Sequence, residues 1–298
     1  MTFLPGMARG LVGFIGGAAE EELPSLLAAD DRNVSHGYSL RKLLPAYAGA
    51  AIRVRRSNDN AEQDIGFDGD GLLDTTALAS FVSSNSAFVV TWYDQSGSDD
   101  LTSTSSGIQP RIVNAGTLDT RNSLPSILFN GAQSMSNLSV SWAVTSQSFF
   151  VAAQMTSGVA DFARVISQSD SGDDYDNSGH YIPIIRSDTG AVFASYSDAG
   201  LRCVMGFSDN ELTIMSSVHT GSAITNSENI LTNPTPYTHS LNKTWTRFRL
   251  GAQLAVAPGG YLTGYISEAL VYNNINKLSR ISNIHSNMGA YWGLADFV

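Results

Sequence analysis

The sequence predicts one all-β domain, a two-sheet antiparallel sandwich, with a short N-terminal arm before it and a single helix at its C-terminal end. Of the 298 residues 43% are hydrophobic, including 11 Tyr, 13 Phe and 4 Trp, which is enough apolar material for a large core. Only 15% of the residues are charged, and short apolar segments are separated by Gly, Asn, Asp and Ser. This pattern is typical of strands joined by tight turns.

The first strands are predicted from alternation and from turn residues. Apolar and arginine side chains alternate from Ile52 onward, as a half-buried strand requires. Asp74 or Thr75 is placed to cap a short helix that carries Leu78, Phe81 and Val82 on one face. The segment AFVVTWYDQSG then predicts a strand that ends in a turn, with Trp92 and Asp94 on the same face.

The last elements are predicted to be a strand and a helix. YLTGYISEALVYNN reads as a strand, and KLSRISNIHSNMGAYWGL spaces its apolar residues near a helical period before Gly293. His285 is expected on the surface of that helix. We place the body of the sandwich at 35–298 and an arm or docking segment at 1–34, with the boundary at a cluster of polar residues around Asp30.

Composition excludes several classes of protein. The net charge of −10 opposes binding to nucleic acid phosphates. The lone Cys203 excludes an internal disulfide, and no Cys and His spacing fits a structural zinc site. Residues 1–19 lack the positive start of a signal peptide, and their apolar run is too short to cross a bilayer. We therefore expect no membrane span.

Two blocks of sequence carry a family resemblance. YSLRKL, AIRVRRSNDNAEQDIGFDGDGLLDT and TWYDQSG, between Tyr38 and Gly97, resemble the start of arabinofuranosidase-B-type glycoside hydrolase domains and of related phage structural proteins. GYISEALVYNN and the helix after it resemble the close of concanavalin A-like (LamG-like) lectin and glucanase domains. The resemblance implies a jelly roll whose concave face or edge loops bind glycans.

Charged residues near the start of the body are predicted to stabilise the fold rather than to bind a ligand. Arg53 and Arg55 lie on one face of a strand, so we expect them to pair with nearby carboxylates and fix the first hairpin. Asp68 and Asp70 resemble part of a calcium loop, but Ala77 stands where such a loop needs a glutamate. A tight turn is the favoured interpretation there.

One acidic loop, SQSDSGDDYDNSGH, is the candidate ligand site. Its carboxylates and aromatic ring suit a calcium-assisted glycan site, with calcium as the candidate cofactor, although the same composition is also typical of a solvated connection. The residues predicted to bind ligand there are Asp170, Asp173, Asp174, Tyr175 and Asp176.

No catalytic residues are assigned from the sequence. Glycoside hydrolysis needs two carboxyl groups, and Glu211 and Glu268 are available, but neither stands in a diagnostic pair. The hydrolase relatives carry an adjacent cysteine pair beside their substrate site. A chain whose only cysteine is Cys203 cannot have that pair.

The resulting hypothesis is a non-catalytic bacteriophage virion protein, a capsid decoration protein, head fibre or tail component. It would dock on other virion proteins through residues 1–34, form a homo-oligomer and present a glycan-binding surface to the host. The alternative is a secreted carbohydrate-binding module or arabinofuranosidase-like glycoside hydrolase.

Overall fold

The three-dimensional structure is a computed structural model in which the described residues are 26–156, 162–170, 181–186, 192–197, 200–206, 208–229, 231–232, 235–254 and 259–294. These residues form antiparallel sheets with a few short helices. The predicted all-β class is confirmed. In the described part of the chain no helix has the length and hydropathy needed to span a bilayer.

The elements follow one another in a nearly continuous series of strands. The strands are β1 (His36–Ser39), β2 (Ile52–Arg56), β3 (Glu62–Ile65), β4 (Ala87–Trp92), β5 (Leu101–Thr102), β6 (Arg111–Asn114), β7 (Thr117–Leu118), β8 (Thr120–Arg121), β9 (Leu124–Pro125), β10 (Ile127–Asn130), β11 (Met135–Asn137), β12 (Trp142–Val144), β13 (Gln147–Met155), β14 (Arg164–Ser169), β15 (Tyr181–Arg186), β16 (Val192–Ser197), β17 (Gly200–Gly206), β18 (Leu212–His219), β19 (Ala223–Glu228), β20 (Leu231–Thr232), β21 (Tyr237–Thr238), β22 (Lys243–Trp245), β23 (Arg247–Leu250) and β24 (Thr263–Asn273). The helices are α1 (Thr75–Val82) and α2 (Ile281–Tyr291), with 3-10 turns at Ala29–Asp31, Ser106–Ile108 and Leu278–Arg280.

The strands form two facing layers. In the first layer β24 is central: it pairs with β13 on one side and with β1 and β10 on the other, and β18 and β19 extend the sheet beyond β13. The second layer contains the hairpin β2–β3 beside β4, and the series β5, β11, β23 and β14. The pairing of β6 with both β4 and β10 joins the layers at one edge.

The main core fills the space between the layers. Phe149, Val151 and Val271 come from the first layer, and Val89 and Trp92 come from the second; all five are fully buried. Each such side chain contributes on the order of 1.5–3 kcal/mol through its removal from water. Interior packing therefore takes the place of disulfides in this chain.

A second core lies on the outer face of the first layer, where α2 packs. Ile284 and Met288 of α2 cover Phe150 and Ile214 of the sheet. The predicted terminal helix is confirmed, but the expectation that His285 lies on the surface is wrong. His285 is fully buried because the helix face that carries it turns toward β18 and the edge of Phe150.

The residues just before the first strand also pack on the body. Leu27 is buried in the second core, and its backbone N–H donates to the Leu43 carbonyl at 3.1 Å. The buried carboxylate of Asp31 accepts hydrogen bonds from Lys277 (3.2 Å) and Arg280 (2.9 Å). The polar cluster expected to mark a boundary therefore includes an ionic anchor to the C-terminal end of the chain. The division at residue 34 stays a prediction.

Candidate active site

Many of the described carboxylates serve the scaffold. Arg53 holds Asp64 through two hydrogen bonds of 2.8 and 2.9 Å, which confirms that pairing in the first hairpin. Arg55 instead donates to the side-chain amides of Gln109 and Asn60, at 2.7 and 2.8 Å. The other arginine-held carboxylates are Asp59 (with Arg56) and Asp119 (with Arg111).

The YDQSG segment is structural. The carboxylate of Asp94 accepts hydrogen bonds from the His36 ring, from the Gly37 N–H and from the Ser96 N–H at 2.9 to 3.0 Å. Burial alone would raise the pKa of Asp94, but these donors outweigh burial and lower it. Because the His36 Nε2 atom is 3.2 Å from the Asn273 amide nitrogen, both ring nitrogens have partners. This pair orders the turn and ties it to β1.

Glu268 is also structural. Both of its carboxylate oxygens are bound by the Arg41 guanidinium at 2.8 Å, and the side chains of both residues are fully buried. No substrate can reach a carboxylate sealed in this way. Of the two glutamates considered from the sequence, only Glu211 remains a candidate for a catalytic carboxyl group.

Glu211 lines a polar cleft of about 580 Å³ at one end of the first layer, beside the C-terminal end of α2. We call this the glutamate cleft. Its polar lining includes Arg121, Gln154, Asn210, Glu211, Glu228 and Asn229.

Strand pairing brings the two glutamates to the same cleft. Glu228 is the last residue of β19 and lies opposite Met215 of β18, whereas Glu211 immediately precedes β18. The offset of four residues corresponds to about 13 Å along the strand between the two backbones, and both residues line the same cleft. The Asn229 amide donates to the Glu228 carboxylate at 2.9 Å and orients it.

The wall of the glutamate cleft also contains polar atoms with no protein partner. Gln154 is buried; its amide nitrogen donates to the Asn210 carbonyl at 2.7 Å, but its Oε1 atom has no hydrogen bond within the described residues. The Arg121 guanidinium lies 3.3 Å above the Tyr265 ring, and its buried Nε atom has no acceptor in the same part of the chain. Unsatisfied buried polar atoms are costly, so a ligand that supplies a donor and an acceptor would stabilise this wall.

The sequence did not identify this cleft. The sequence pattern indicates no partner for Glu211 and gives no local signal for Glu228. Glu228 was recognisable only as the remaining glutamate of a sequence that contains few, since its proximity to Glu211 depends on the pairing of β18 with β19.

The predicted acidic loop is only partly visible. The Asp170 carboxylate accepts a hydrogen bond from Lys243 Nζ at 3.0 Å. Asp173, Asp174, Tyr175 and Asp176 lie outside the described residues. Across the described ranges no group of three or more His, Cys, Asp or Glu side chains could hold a metal ion. The calcium or glycan site in this loop stays a prediction.

The fold and the cleft define an antiparallel β-sandwich with carboxylates and amides gathered at one end of a sheet. Comparison with known families is more specific. Residues 30–155 match the family model described as "Alpha-L-arabinofuranosidase B, catalytic". The match includes Arg121 and Gln154 of the glutamate cleft but ends before Glu211 and Glu228.

Solved structures of similar fold include GH54 α-L-arabinofuranosidases. A mutant soaked with 4-nitrophenyl α-L-arabinofuranoside superposes with a TM-score of 0.65 at 14% identity over 86% of this chain. An arabinofuranosidase complexed with arabinofuranosyl-α-1,2-xylobiose gives a TM-score of 0.64 at 13% identity, also over 86%. The chain covers 62% of the length of each of these structures. No curated protein matches the chain.

These findings correct the functional hypothesis. The match to a hydrolase catalytic domain contradicts a non-catalytic bacteriophage virion protein, whether capsid decoration, head fibre or tail component. It supports the arabinofuranosidase part of the sequence resemblance, and the phage part has no support. The motifs between Tyr38 and Gly97 therefore indicate the function better than the missing cysteine pair does.

Proposed function

We propose that this chain is a glycoside hydrolase domain that releases arabinofuranosyl groups from polysaccharide. The observation that carries the proposal is the match of residues 30–155 to the arabinofuranosidase B catalytic family. The glutamate cleft supports it, because Glu211 and Glu228 supply the two carboxyl groups that glycoside hydrolysis requires. Since a polysaccharide is too large to enter a cell, we place the enzyme outside the cell, as a secreted protein.

In this proposal the two glutamates have different roles. The hydrogen bond from Asn229 orients the carboxyl group of Glu228, and in this proposal Glu228 attacks the anomeric carbon or activates a water molecule that does. Glu211 is exposed, and its carboxyl group has no hydrogen bond or ion pair within the described residues. It donates a proton to the glycosidic oxygen as the bond to the leaving group breaks. The sugar leaves as free arabinose once water has completed the reaction.

Arg121 and Gln154 hold the sugar in this mechanism. A sugar hydroxyl is both a donor and an acceptor, so it can satisfy the Gln154 carbonyl and the Arg121 guanidinium, whereas a carboxylate satisfies only the arginine. The unpaired atoms of the wall thus favour a neutral furanoside as the bound group.

Hydrolysis of 4-nitrophenyl α-L-arabinofuranoside tests the proposal. Glu211→Gln and Glu228→Gln should each lower kcat by about 10²- to 10⁴-fold, because each removes an ionisable group from the reaction. Glu62→Gln, which changes an exposed glutamate of β3, is the matched control and should leave kcat unchanged. Absence of hydrolysis by the unaltered chain, or full activity in both cleft variants, would overturn the assignment.

A further experiment separates the two roles. If Glu228 is the nucleophile or base, azide should partly restore turnover in Glu228→Ala and yield a glycosyl azide, because the small anion occupies the space of the lost carboxylate. Azide should yield no such product with Glu62→Ala. A merely structural role for Glu228 would give no azide adduct.

Residues 1–25 lie outside the described part of the chain. Docking of residues 1–34 on another protein and assembly into a homo-oligomer therefore stay predictions.

A further inference from the structure

A second cleft, of about 340 Å³, lies within the block that matches the hydrolase family. It opens between the loop at 45–50 and the loop at 66–71, and we call it the Lys42 cleft. The side chains and glycines that shape it include Lys42, Tyr47, Gly49, Phe67, Asp68 and Gly69.

The Lys42 cleft offers hydrogen-bonding groups that the protein does not use. Lys42 is half-buried, and its ammonium group has no hydrogen bond or ion pair with any described residue. Asp68 uses its Oδ1 atom to accept from the N–H groups of Asp70 and Leu72, at 3.0 and 2.9 Å, which leaves Oδ2 as an acceptor. The backbone N–H of Gly69 likewise has no acceptor among the described residues. Donors and an acceptor therefore face the same space.

An aromatic pair forms the apolar part of the cleft. Tyr47 and Phe67 meet edge to face, with ring centroids 6.3 Å apart, and both are partly exposed. The Tyr47 hydroxyl donates to the Ala50 carbonyl at 2.7 Å, which fixes the ring. Partly exposed aromatic surface next to a few polar groups suits a sugar ring, which has apolar C–H faces and hydroxyl edges.

Two glycines keep the backbone of the cleft open. A Cβ atom at Gly66 or Gly69 would meet nothing within 4 Å, and neither residue has the positive φ that favours glycine. Neither packing nor backbone conformation therefore requires glycine at these two positions. The effect of each is to leave room for close approach to the main chain.

Residues beside both clefts lie at the C-terminal end of α2. The guanidinium of Arg41, which precedes Lys42 in the chain, stacks 4.5 Å from the centroid of the Tyr291 ring, and Gly293 and Leu294 line the glutamate cleft. Asn122, also of the glutamate cleft, donates to the Trp292 carbonyl at 2.8 Å. Both clefts therefore have neighbours at the last turn of this helix, which is the basis for assigning them to one extended ligand.

We propose that the Lys42 cleft is a secondary sugar-binding site for the main chain of the polysaccharide whose arabinofuranosyl side group occupies the glutamate cleft. This inference rests on the proposed function, from which the polysaccharide follows. Lys42 and Asp68 bind hydroxyls of one backbone sugar, and Tyr47 and Phe67 contact its apolar face. The small aryl arabinofuranoside fills the glutamate cleft alone and does not reach this site.

The test compares a polymeric substrate with a small one. Gly69→Val fills the open backbone position, and Lys42→Ala removes the ammonium group. Each should raise KM for arabinoxylan on the order of 10-fold, the effect of losing about 1.4 kcal/mol of binding free energy. Each should leave kcat/KM for 4-nitrophenyl α-L-arabinofuranoside within about two-fold, because the glutamate cleft is unchanged. Gly107→Val is the matched control, since Gly107 is also an open glycine without a positive φ but lies in the 3-10 turn Ser106–Ile108, which lines neither cleft.

Binding measurements distinguish failure of this inference from failure of the proposed function. Affinity electrophoresis in arabinoxylan gels should show weaker retardation of Gly69→Val and Lys42→Ala than of Gly107→Val, also when each is combined with Glu211→Gln to slow hydrolysis of the gel polysaccharide. If the aryl substrate is cleaved but all three variants bind and cleave arabinoxylan alike, the secondary site is wrong and the hydrolase assignment stands. If no substrate is cleaved but retardation still depends on Gly69 and Lys42, the sugar site stands and the hydrolase assignment is wrong. If Gly69→Val shows no thermal unfolding transition, that variant does not fold, and the result for Lys42→Ala alone decides whether the secondary site exists.

Discussion

Glu268 and Glu211 belong to the same layer of the sandwich but lie in opposite environments. Glu268 is in the middle of β24, where it is fully buried and bound by Arg41 through two hydrogen bonds. Glu211 is at the open end of the layer, exposed, beside a cleft that holds a second glutamate. The position of a carboxylate along its strand, central or terminal, thus separates a structural role from a candidate catalytic one.

The same contrast applies to other ionisable groups. His285 and His219 are fully buried, whereas the side chains of Arg53 and Asp64 are 43% and 44% exposed. Buried ionisable groups change stability strongly when altered, and exposed ones change it little. The contrast between buried and exposed groups can therefore be measured as the change in the free energy of unfolding when each residue is substituted.

The largest effect is expected at the sealed Arg41–Glu268 pair. Arg41→Met should lower the free energy of unfolding by about 3–5 kcal/mol, because it leaves the Glu268 carboxylate buried without its cation. The measurement is chemical denaturation at neutral pH. The double variant Arg41→Met with Glu268→Met is the control and should recover much of the loss, since apolar side chains can replace a buried pair. A single variant as stable as the original protein would show that the site is not sealed.

A smaller effect, dependent on pH, is expected from the buried histidines. Burial lowers the pKa of His285 from 6.5 to about 3. Burial, with a contribution from nearby His239, does the same for His219. Both are neutral in the folded protein and take up a proton on unfolding. Each histidine should therefore destabilise the fold by about 1.4 kcal/mol per pH unit as pH falls from 6.5 toward 3.

His285→Asn isolates this contribution. Asparagine does not titrate and can still hydrogen-bond to Ser216, so the variant should lose less stability than the original protein between pH 6.5 and pH 4. Urea denaturation at several pH values in that range measures the difference. Parallel curves for the two proteins would mean that His285 is protonated equally in the folded and unfolded states.

Local sequence patterns predict the helices and strands, but they do not reveal contacts between residues that are far apart in the sequence. The cap of the short helix, predicted at Asp74 or Thr75, depends on neighbouring residues, and the structure places it at Asp74. Arg41 and Glu268 are separated by 227 residues, so no local pattern reveals their pairing. His285 was misplaced for the same reason, because its partner Ser216 is on a distant strand.

The exposed pair of the first hairpin should contribute much less than the sealed pair. Arg53 and Asp64 are joined by two hydrogen bonds, and the Tyr93 hydroxyl also donates to Asp64 at 2.8 Å. Because water screens both charges, a double-mutant cycle with Arg53→Met and Asp64→Asn should give a coupling of about 0.2–1 kcal/mol. The coupling should decrease in 1 M salt. A coupling above 2 kcal/mol at high salt would show that this pair is shielded from water, like the pair of Arg41 and Glu268.

The smallest effect on stability is expected at Glu211. Its side chain is exposed and has no partner among the described residues, so Glu211→Gln should change the free energy of unfolding by less than about 0.5 kcal/mol. Thermal denaturation checks this, with Glu268→Gln as the matched variant that should be clearly destabilised. If Glu211→Gln is instead destabilised by more than 1 kcal/mol, the residue supports the fold, and a loss of hydrolysis in that variant would no longer show a chemical role. A Glu211→Gln protein that is stable but inactive would show that Glu211 acts in hydrolysis, whereas Glu268 supports the fold.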